Sequence, residues 1–263
     1  MKILLIAGHG GTPYDPGAVG CGYTEAVETR RMANAVAPLL RAYGFEVALY
    51  DQSKDAYKVV TQGGSLPLSG VSYVLEFHLN SAANDPNGNG RTTGTEIFVH
   101  TNEQGVTVEQ AILRRACALG FKNRGVKRSS GLAVLKHVFK RGVSHALVET
   151  CFIDDRDDMD LYGREFDAVA RAIADGVAEG FGKPVDDDKE DDTMTQKEFE
   201  EMYGRVNPLY KTISDVPDYW KAEVREMLEC GAINGGTDSK PDDVNMRHEA
   251  LQASIVAYRA ANK

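Results

Sequence analysis

A histidine and a glutamate stand at the two ends of one glycine-rich loop near the start of the chain. The apolar run 3–7 is bounded by glycines, which is typical of a buried strand, and His9 follows this run. A helical pattern begins near Thr24, so Glu25 opens the next helix. Ligands and catalytic groups collect at the carboxyl ends of strands in open α/β sheets. A metal ion could therefore be shared by His9 and Glu25.

Two later strand ends carry residues of the same kind. His78 follows the apolar run 74–77, and Glu149 follows the apolar run 146–148. Two imidazoles and one carboxylate supply three ligands for Zn²⁺ and leave the fourth position to water, as in catalytic zinc sites. A further carboxylate nearby could then serve as the proton carrier. Cys21 remains open as a soft zinc ligand in an alternative set.

The elements that must position these residues alternate between strands and helices. Strands are predicted at 3–7, 45–50, 72–79, 95–100, 132–135 and 144–148, and helices at 25–43, 55–62, 104–121 and 164–181. The β-α-β order predicts parallel neighbours. We expect an α/β fold with an open, twisted, mainly parallel sheet of about six strands and helices on both faces. Loops are predicted at the basic segment 122–130 and the acidic segment 154–160.

The composition changes abruptly after residue 183. Residues 184–194 contain two blocks of acidic residues around Lys189, which is typical of a solvated linker. The sequence therefore predicts a catalytic domain at 1–183, a linker at 184–194 and a small helical domain at 195–263. In this last domain, helices are predicted at 195–203, 218–229 and 246–261, and Trp220 is the expected core anchor.

The charge distribution excludes one class of partner. The 263 residues carry a formal net charge of −9, and residues 186–263 hold 10 Lys and Arg against 18 Asp and Glu. A protein that binds duplex DNA normally presents a basic face, so no nucleic-acid partner is expected. The segment 110–148, with nine Lys and Arg and no acidic residue, is interpreted as a solvated surface, although an anionic polymer would be attracted to it.

The cysteines and the amino terminus suggest a reducing compartment. The four cysteines show no paired spacing, so reduced thiols are expected. The first apolar run is too short for a signal peptide or a membrane span. We expect synthesis in the cytoplasm without an export signal, and no membrane insertion.

Four positions and their flanking residues resemble a known family. They are His9 after the first strand, Glu25 at the start of the next helix, the stretch Phe77-His78-Leu79-Asn80-Ser81, and the stretch Leu147-Val148-Glu149-Thr150-Cys151-Phe152-Ile153. Together they resemble the zinc-dependent N-acetylmuramoyl-L-alanine amidases of the type 3 class over about residues 2–181. The resemblance implies one zinc ion held by His9, Glu25 and His78, and an essential catalytic role for Glu149.

Two features of the sequence qualify this assignment. Glu28 lies one helical turn beyond Glu25 and could face the same way. The distance to Gly44, at the end of the helix, favours Glu25, because the family's ligand stands at that distance. Cys151 occupies a position where the family usually has glycine, and the loop that begins at Asp15 carries Cys21; both affect the expected shape of the pocket.

The carboxyl-terminal part resembles a different unit. The stretches 214–217, 231–236 and 247–250, with Trp220, are similar to one S-layer-homology-like repeat. Such units bind cell-wall polymers in many proteins. An amidase joined to a wall-binding tail resembles a bacteriophage endolysin.

The expected function is therefore hydrolysis of the amide between N-acetylmuramic acid and L-alanine in bacterial peptidoglycan, leading to lysis. The expected partners are peptidoglycan and a cell-wall polymer. A zinc peptidase that cuts elsewhere in the stem peptide and a non-catalytic wall-binding protein are the alternatives. The remaining histidines are expected to be structural or exposed: His100, His137, His145 and His248.

Overall fold

A six-stranded sheet runs through the amino-terminal part of the computed structural model, which describes residues 1–11, 15–185, 201, 203–205, 207–235 and 240–261. In chain order this part contains β1 (Lys2–Ala7), β2 (Val19–Gly20), β3 (Tyr23–Thr24), α1 (Glu25–Ala42), β4 (Glu46–Leu49), α2 (Ala56–Thr61), β5 (Val71–Asn80), β6 (Thr95–His100), α3 (Thr107–Ala118), β7 (Asn123–Ser129), α4 (Ala133–Phe139), β8 (Ser144–Phe152), α5 (Arg156–Arg164) and α6 (Phe166–Gly180).

The order of the strands in the sheet is β4-β1-β5-β8-β6-β7. The first four run parallel to one another, β6 is antiparallel to β8, and β7 is parallel to β6. The predicted α/β fold with a mainly parallel six-stranded sheet and helices on both faces is confirmed. The strands β1, β5 and β8 are neighbours, so the residues at their carboxyl ends share one edge of the sheet.

The two faces of the sheet are covered unequally. Ile3 and Leu5 pack into a large core cluster with residues of α1, α3 and α6. Leu4 and Ile6, on the opposite face of β1, pack into a smaller cluster with residues of α2 and α4. Because both faces are covered, the central strands are continuous apolar runs rather than alternating patterns. This explains why β1 could be identified from its composition alone.

The predictions for residues 122–130 and 132–135 are wrong. The basic segment 122–130 is not a loop, because β7 occupies residues 123–129. As the edge strand it has few buried side chains, so its sequence lacks the apolar alternation that predicts a strand. The run 132–135 is not a strand, because α4 begins at Ala133 and its buried residues Val134, Leu135 and Val138 follow helical spacing beyond the predicted run.

The acidic segment 154–160 also differs from its prediction as a loop. Asp155 is completely buried and caps α5 by accepting a hydrogen bond from the backbone N–H of Asp158 at 3.1 Å. Asp154 accepts backbone N–H bonds from residues 82–84, and Asp157 accepts them from residues 89–91. The acidic side chains therefore hold the polar loop that follows β5 in place.

The chain divides into two compact units, Met1–Asp188 and Lys189–Lys263. Most of the predicted linker 184–194 and of the predicted helix 195–203 lies outside the described residues. The second unit contains β9 (Leu209–Thr212), a short 3₁₀ helix (Ile213–Asp215), α7 (Asp218–Glu229), β10 (Asp243–Arg247) and α8 (His248–Ala261). It is thus not purely helical, because β9 and β10 pair as an antiparallel ribbon.

Trp220 is 8% exposed and packs with Tyr210, Val224 and Leu251 in the core of the second unit. The prediction that Trp220 anchors this core is confirmed. Within the described ranges, no helix combines the length and the apolar composition needed to cross a bilayer.

Candidate metal centre and active site

Three side chains from three different elements converge at the carboxyl edge of the sheet. Glu25 Oε1 lies 3.0 Å from His9 Nε2 and 2.9 Å from His78 Nδ1. One ligand atom from each of the three residues lies within 4.8 Å of the others. The carboxylate of Glu25, only 4% exposed, is the centre of this cluster.

Two glycines allow the three side chains to approach one another. A Cβ atom on Gly8 would lie 2.6 Å from His78 Nε2, so any other residue there would displace the imidazole. Gly17 has a φ of +66°, and its Cβ would lie 2.7 Å from both Glu25 Oε2 and His9 Cδ2. Glycine at positions 8 and 17 is therefore required by the packing of the cluster.

Backbone amides hold Glu25 from the other side. The N–H of Ala18 donates to Glu25 Oε2 at 2.9 Å, and the N–H of Leu79 donates to Oε1 at 3.1 Å. Glu25 is the first residue of α1 and follows directly from the hairpin of β2 and β3. The residue before the hairpin and a residue of β5 thus position the carboxylate through its two oxygens.

The second nitrogen of each imidazole contacts another carboxylate. His9 Nδ1 lies 3.1 Å from Asp15 Oδ2, and His78 Nε2 lies 3.4 Å from Glu76 Oε1. Histidines that bind metals usually donate their other ring N–H to a carboxylate or a carbonyl, which fixes the tautomer and the ring orientation. Both rings therefore have the surroundings expected of metal ligands.

The backbone at His9 is strained and clamped. His9 has a φ of +65°, a region that residues other than glycine seldom adopt. Thr29 Oγ1 donates to Gly8 O at 2.9 Å, and Arg30 Nη2 donates to His9 O at 3.0 Å. Such strain persists only where the surrounding structure enforces it, and it is concentrated at functional sites.

Glu149 lies beside the cluster on β8. Its Cα is the register partner of His78 on β5, so the two side chains lie on the same face of the sheet. Glu149 Oε2 is enclosed and has no hydrogen-bond partner among the described residues. Burial, opposed by His78 and reinforced by Glu25 and Glu96, raises the pKa of Glu149 to about 7. A carboxyl group that titrates near neutral pH is suited to general acid and base catalysis.

On the other side of Glu149, β6 supplies the register partner Glu96. Its carboxylate is compensated, because Arg124 Nε donates to it at 2.8 Å and Asn80 Nδ2 donates to it at 2.8 Å. Glu149 Oε2 has no such partner in the part of the chain that the structure describes, which distinguishes Glu149 from its neighbour.

The charges of the cluster suit a divalent cation. Burial raises the pKa of Glu25, but hydrogen bonds from His78 and His9 outweigh burial and leave that pKa lowered. Burial lowers the pKa of both histidines, yet Glu25 leaves both pKa values raised. The buried carboxylate thus attracts protons to both rings, and a cation bound by two nitrogens and one oxygen would replace that positive charge. Two histidines and one glutamate form a known catalytic donor set for zinc.

The two alternative ligands are placed elsewhere. Glu28 is buried and accepts hydrogen bonds from Tyr162 Oη at 3.1 Å and from Arg31 Nη1 at 3.3 Å. Cys21 packs at the margin of the large core cluster, and burial raises the pKa of its thiol, which disfavours the thiolate that binds metals. The cluster of potential ligand atoms contains neither residue.

A cavity of about 320 Å³ opens beside the cluster. His9, Asp15, Glu76 and His78 line one side, while the other side is formed by residues of α2 and α4 and the residues just before α4: Ala56, Tyr57, Gly131, Leu132, Ala133 and Val134. The unequal covering of the sheet thus leaves a recess with one polar and one apolar wall.

Sequence reasoning missed the residues that support the cluster. Asp15, Glu76 and Arg30 are each tied to a histidine or to its backbone, yet no motif or spacing singles them out. The one available signal is Glu76, an acidic residue inside an apolar strand, where an unpaired charge is costly.

The fold and the cluster together define the first unit as an α/β enzyme domain with a candidate metal centre. The family model described as N-acetylmuramoyl-L-alanine amidase matches residues 3–179. The chain belongs to this family, which confirms the predicted resemblance of residues 2–181 to N-acetylmuramoyl-L-alanine amidases.

One relative and two solved structures show what the chain is similar to in sequence and in fold. The Probable autolysin PH of Staphylococcus aureus (strain NCTC 8325 / PS 47) is 30% identical over 199 residues, which cover 70% of this chain and 39% of that protein. The catalytic domain of the CD27L endolysin targeting Clostridia Difficile is 23% identical, with a TM-score of 0.55 and coverage of 71% of this chain and 99% of that one. The catalytic domain of CwlV, an N-acetylmuramoyl-L-alanine amidase from Bacillus (Paenibacillus) polymyxa var. colistinus, is 21% identical, with a TM-score of 0.55 and coverage of 70% and 99%. These two structures show the same fold.

The roles of the two glutamates of α1 can be separated by metal analysis. We expect Glu25→Ala to lose the bound metal, because it removes the atom on which both imidazoles converge. Glu28→Ala should keep the metal, since this carboxylate contacts Tyr162 and Arg31 instead. Metal content per chain after dialysis, measured by elemental analysis, checks the prediction, with Cys21→Ser as a further control. Full occupancy in Glu25→Ala would contradict the ligand assignment.

Proposed function

We propose that the chain is a zinc-dependent enzyme that hydrolyses the amide between N-acetylmuramic acid and L-alanine in bacterial peptidoglycan. The observation that carries this proposal is the convergence of His9, Glu25 and His78 beside the enclosed, unpartnered carboxyl oxygen of Glu149. Membership of the amidase family supports the choice of substrate. The chain spans only 39% of the length of its Staphylococcus aureus relative. The activity of that whole protein therefore does not establish the activity of this chain, which is proposed from its own residues.

One zinc ion per chain would be held by His9, Glu25 and His78. When bound there, zinc would supply Lewis acidity, which polarises a carbonyl group and lowers the pKa of water. The carboxylates of Asp15 and Glu76 would hold the two imidazole rings in their ligand orientation.

Glu149 would carry the proton during the reaction. Its enclosed Oε2 would accept a proton from the attacking water and later pass that proton to the amide nitrogen of L-alanine. The new C–O bond leaves the muramoyl lactyl group as a carboxylic acid, and cleavage of the C–N bond frees the amino group of L-alanine. No nucleophilic serine or cysteine is required, and Cys151 is completely buried against Met159.

Replacement of the proton carrier should separate chemistry from metal binding. We expect Glu149→Gln to keep the fold and the metal while turnover falls by about 10²–10⁴-fold, the usual contribution of a general acid or base. Cell walls digested by the wild type and by the variant are labelled at new amino termini, and the labelled residues are identified. New L-alanine termini from the wild type support the proposal.

Each outcome of this experiment distinguishes a rival. New termini at other residues of the stem peptide would identify a zinc peptidase, which uses the same chemistry on a different amide. No new termini from the metal-loaded wild type would identify a non-catalytic wall-binding protein. A loss of less than tenfold in Glu149→Gln would contradict the role of Glu149. The enclosed carboxyl of Glu149 favours an enzyme, because a purely structural metal site has no use for it.

For the second unit we propose binding to a cell-wall polymer, by its similarity to S-layer-homology-like repeats. The domain division at 1–183, 184–194 and 195–263 is part of this proposal. Trp220 is buried, so it does not offer a sugar-stacking surface, whereas the adjacent Tyr219 is 71% exposed. Arg247 stacks on Tyr203 at 4.9 Å and donates to Asn207 O at 2.9 Å.

A pull-down of the second unit tests its role. We expect residues 189–263 to be retained by purified walls at both low and high salt, because a unit with five more acidic than basic residues is not held by anionic polymers through charge. Tyr219→Ala should weaken retention, and Tyr258→Ala is the comparison variant on α8. Absence of retention at both salt concentrations would leave this unit with a different role.

We further propose that the chain is a bacteriophage endolysin, made in the host cytoplasm. The similarity of its fold to the CD27L catalytic domain supports this role, while the similarity to an autolysin favours a bacterial housekeeping role. When the chain is expressed inside a susceptible bacterium, we expect culture turbidity to fall only after the membrane is permeabilised. Lysis with an intact membrane would favour an exported autolysin.

A further inference from the structure

Behind the ring of His78, two more ionisable side chains are buried between the sheet and the helices α2 and α4. Glu76 is 3% exposed and His145 is 2% exposed. Glu76 Oε1 lies 3.4 Å from His78 Nε2, and Glu76 Oε2 lies 3.0 Å from His145 Nε2. The three side chains therefore form a continuous row that leads from the candidate metal centre into the protein interior.

This row of buried polar side chains lowers the stability of the fold. Glu76 Oε2 and both ring nitrogens of His145 are fully enclosed, and none of them makes a hydrogen bond of good geometry with the described residues, although Oε2 and Nε2 lie only 3.0 Å apart. The neighbouring cluster is mainly aliphatic and includes Val74 and Val138. Buried polar groups without full hydrogen bonding destabilise a protein, and an apolar pair of similar volume is often at least as stable. Stability of the fold therefore does not account for Glu76 and His145.

The geometry points to a role in orienting His78. Its ring has a carboxylate at each nitrogen, Glu25 at Nδ1 and Glu76 at Nε2. A ring flip would bring carbon atoms to both carboxylates, so only one orientation satisfies both contacts. Glu76 can hold this orientation only if its own carboxylate is fixed. His145, which reaches the other oxygen of Glu76, is the residue placed to fix it.

We propose that Glu76 and His145 are positioning residues that hold the His78 imidazole with Nδ1 facing the metal. This inference rests on the proposed function, because it takes His78 as a metal ligand. Glu76 acts on His78 directly, and His145 acts only through Glu76. His145 is therefore more than the structural residue expected from the sequence, although it does not touch the metal centre.

Zinc affinity of the full chain, measured by competition with a chromophoric chelator, tests the coupling. We expect Glu76→Leu to weaken zinc binding by about 10–100-fold, the usual effect of losing the carboxylate behind a metal-binding histidine. His145→Leu should weaken zinc binding by a similar or smaller factor. His145→Gln, which keeps a side-chain donor, should recover part of that loss.

The double variant distinguishes positioning from a structural role. Glu76→Leu with His145→Leu should bind zinc no more weakly than Glu76→Leu alone, because His145 has no other route to His78. The metal-free double variant should unfold at or above the temperature of the wild type, since the buried polar row is replaced by apolar side chains. His100→Leu is the matched control: His100 is also buried in the sheet, but it stacks on Phe139 at 3.8 Å and should leave zinc affinity unchanged.

A spectroscopic readout does not depend on turnover. In the zinc-loaded wild type, the ¹⁵N signals of the His78 ring should show the proton on Nε2. These signals should shift in His145→Leu and stay unchanged in His100→Leu. A wild type that binds no zinc would overturn the proposed function. This inference alone would be overturned if the wild type binds zinc and the folded Glu76 and His145 variants bind it with the same affinity and show unshifted His78 signals. It would also be overturned if the losses of zinc affinity in the two single variants add up in the double variant.

Discussion

The carboxylate of Glu25 accepts two backbone N–H bonds and contacts two imidazole rings while it is almost completely removed from water. Opposite charges interact strongly in such an environment, and an uncompensated carboxylate there would be costly. The constraint is severe, because the two rings come from the ends of neighbouring strands and the carboxylate comes from a helix. Gly8 and Gly17 have room for no side chain because this convergence fills the space around them.

The unequal covering of the sheet explains where this site can exist. The face covered by α1, α3 and α6 contains the large apolar cluster, which includes most of the buried apolar residues of the sheet and its helices. The face covered by the short helices α2 and α4 has a smaller cluster, a cavity and the ionisable row behind His78. Buried polar groups are tolerated on the face covered by α2 and α4 because the apolar cluster on the opposite face stabilises the sheet.

The loop that follows β5 shows how charge can order a polar segment. Asp154 and Asp157 accept backbone N–H bonds from this loop, and Asp158 accepts the N–H of Gly94. Acidic side chains that accept hydrogen bonds from several backbone amides satisfy N–H groups that would otherwise need partners in water or in secondary structure. The acidic composition of this segment therefore reflects anchoring of a loop close to the active site rather than exposure to solvent.

Local sequence determined the elements whose side chains are buried on both faces or along one stripe. The strands β1, β5 and β8, the helices α1 and α6, and the strand-end positions of His9, His78 and Glu149 followed from apolar runs and from the family motif. Tertiary structure decided the elements and contacts that depend on distant partners. The strand β7 is defined by pairing at a sheet edge, and α5 is defined by the cap of Asp155. Asp15, Glu76 and His145 support the site through contacts with His9 and His78 that no periodicity records. Apolar periodicity reports burial, which is encoded locally, whereas a polar contact requires that the fold bring two separate segments together.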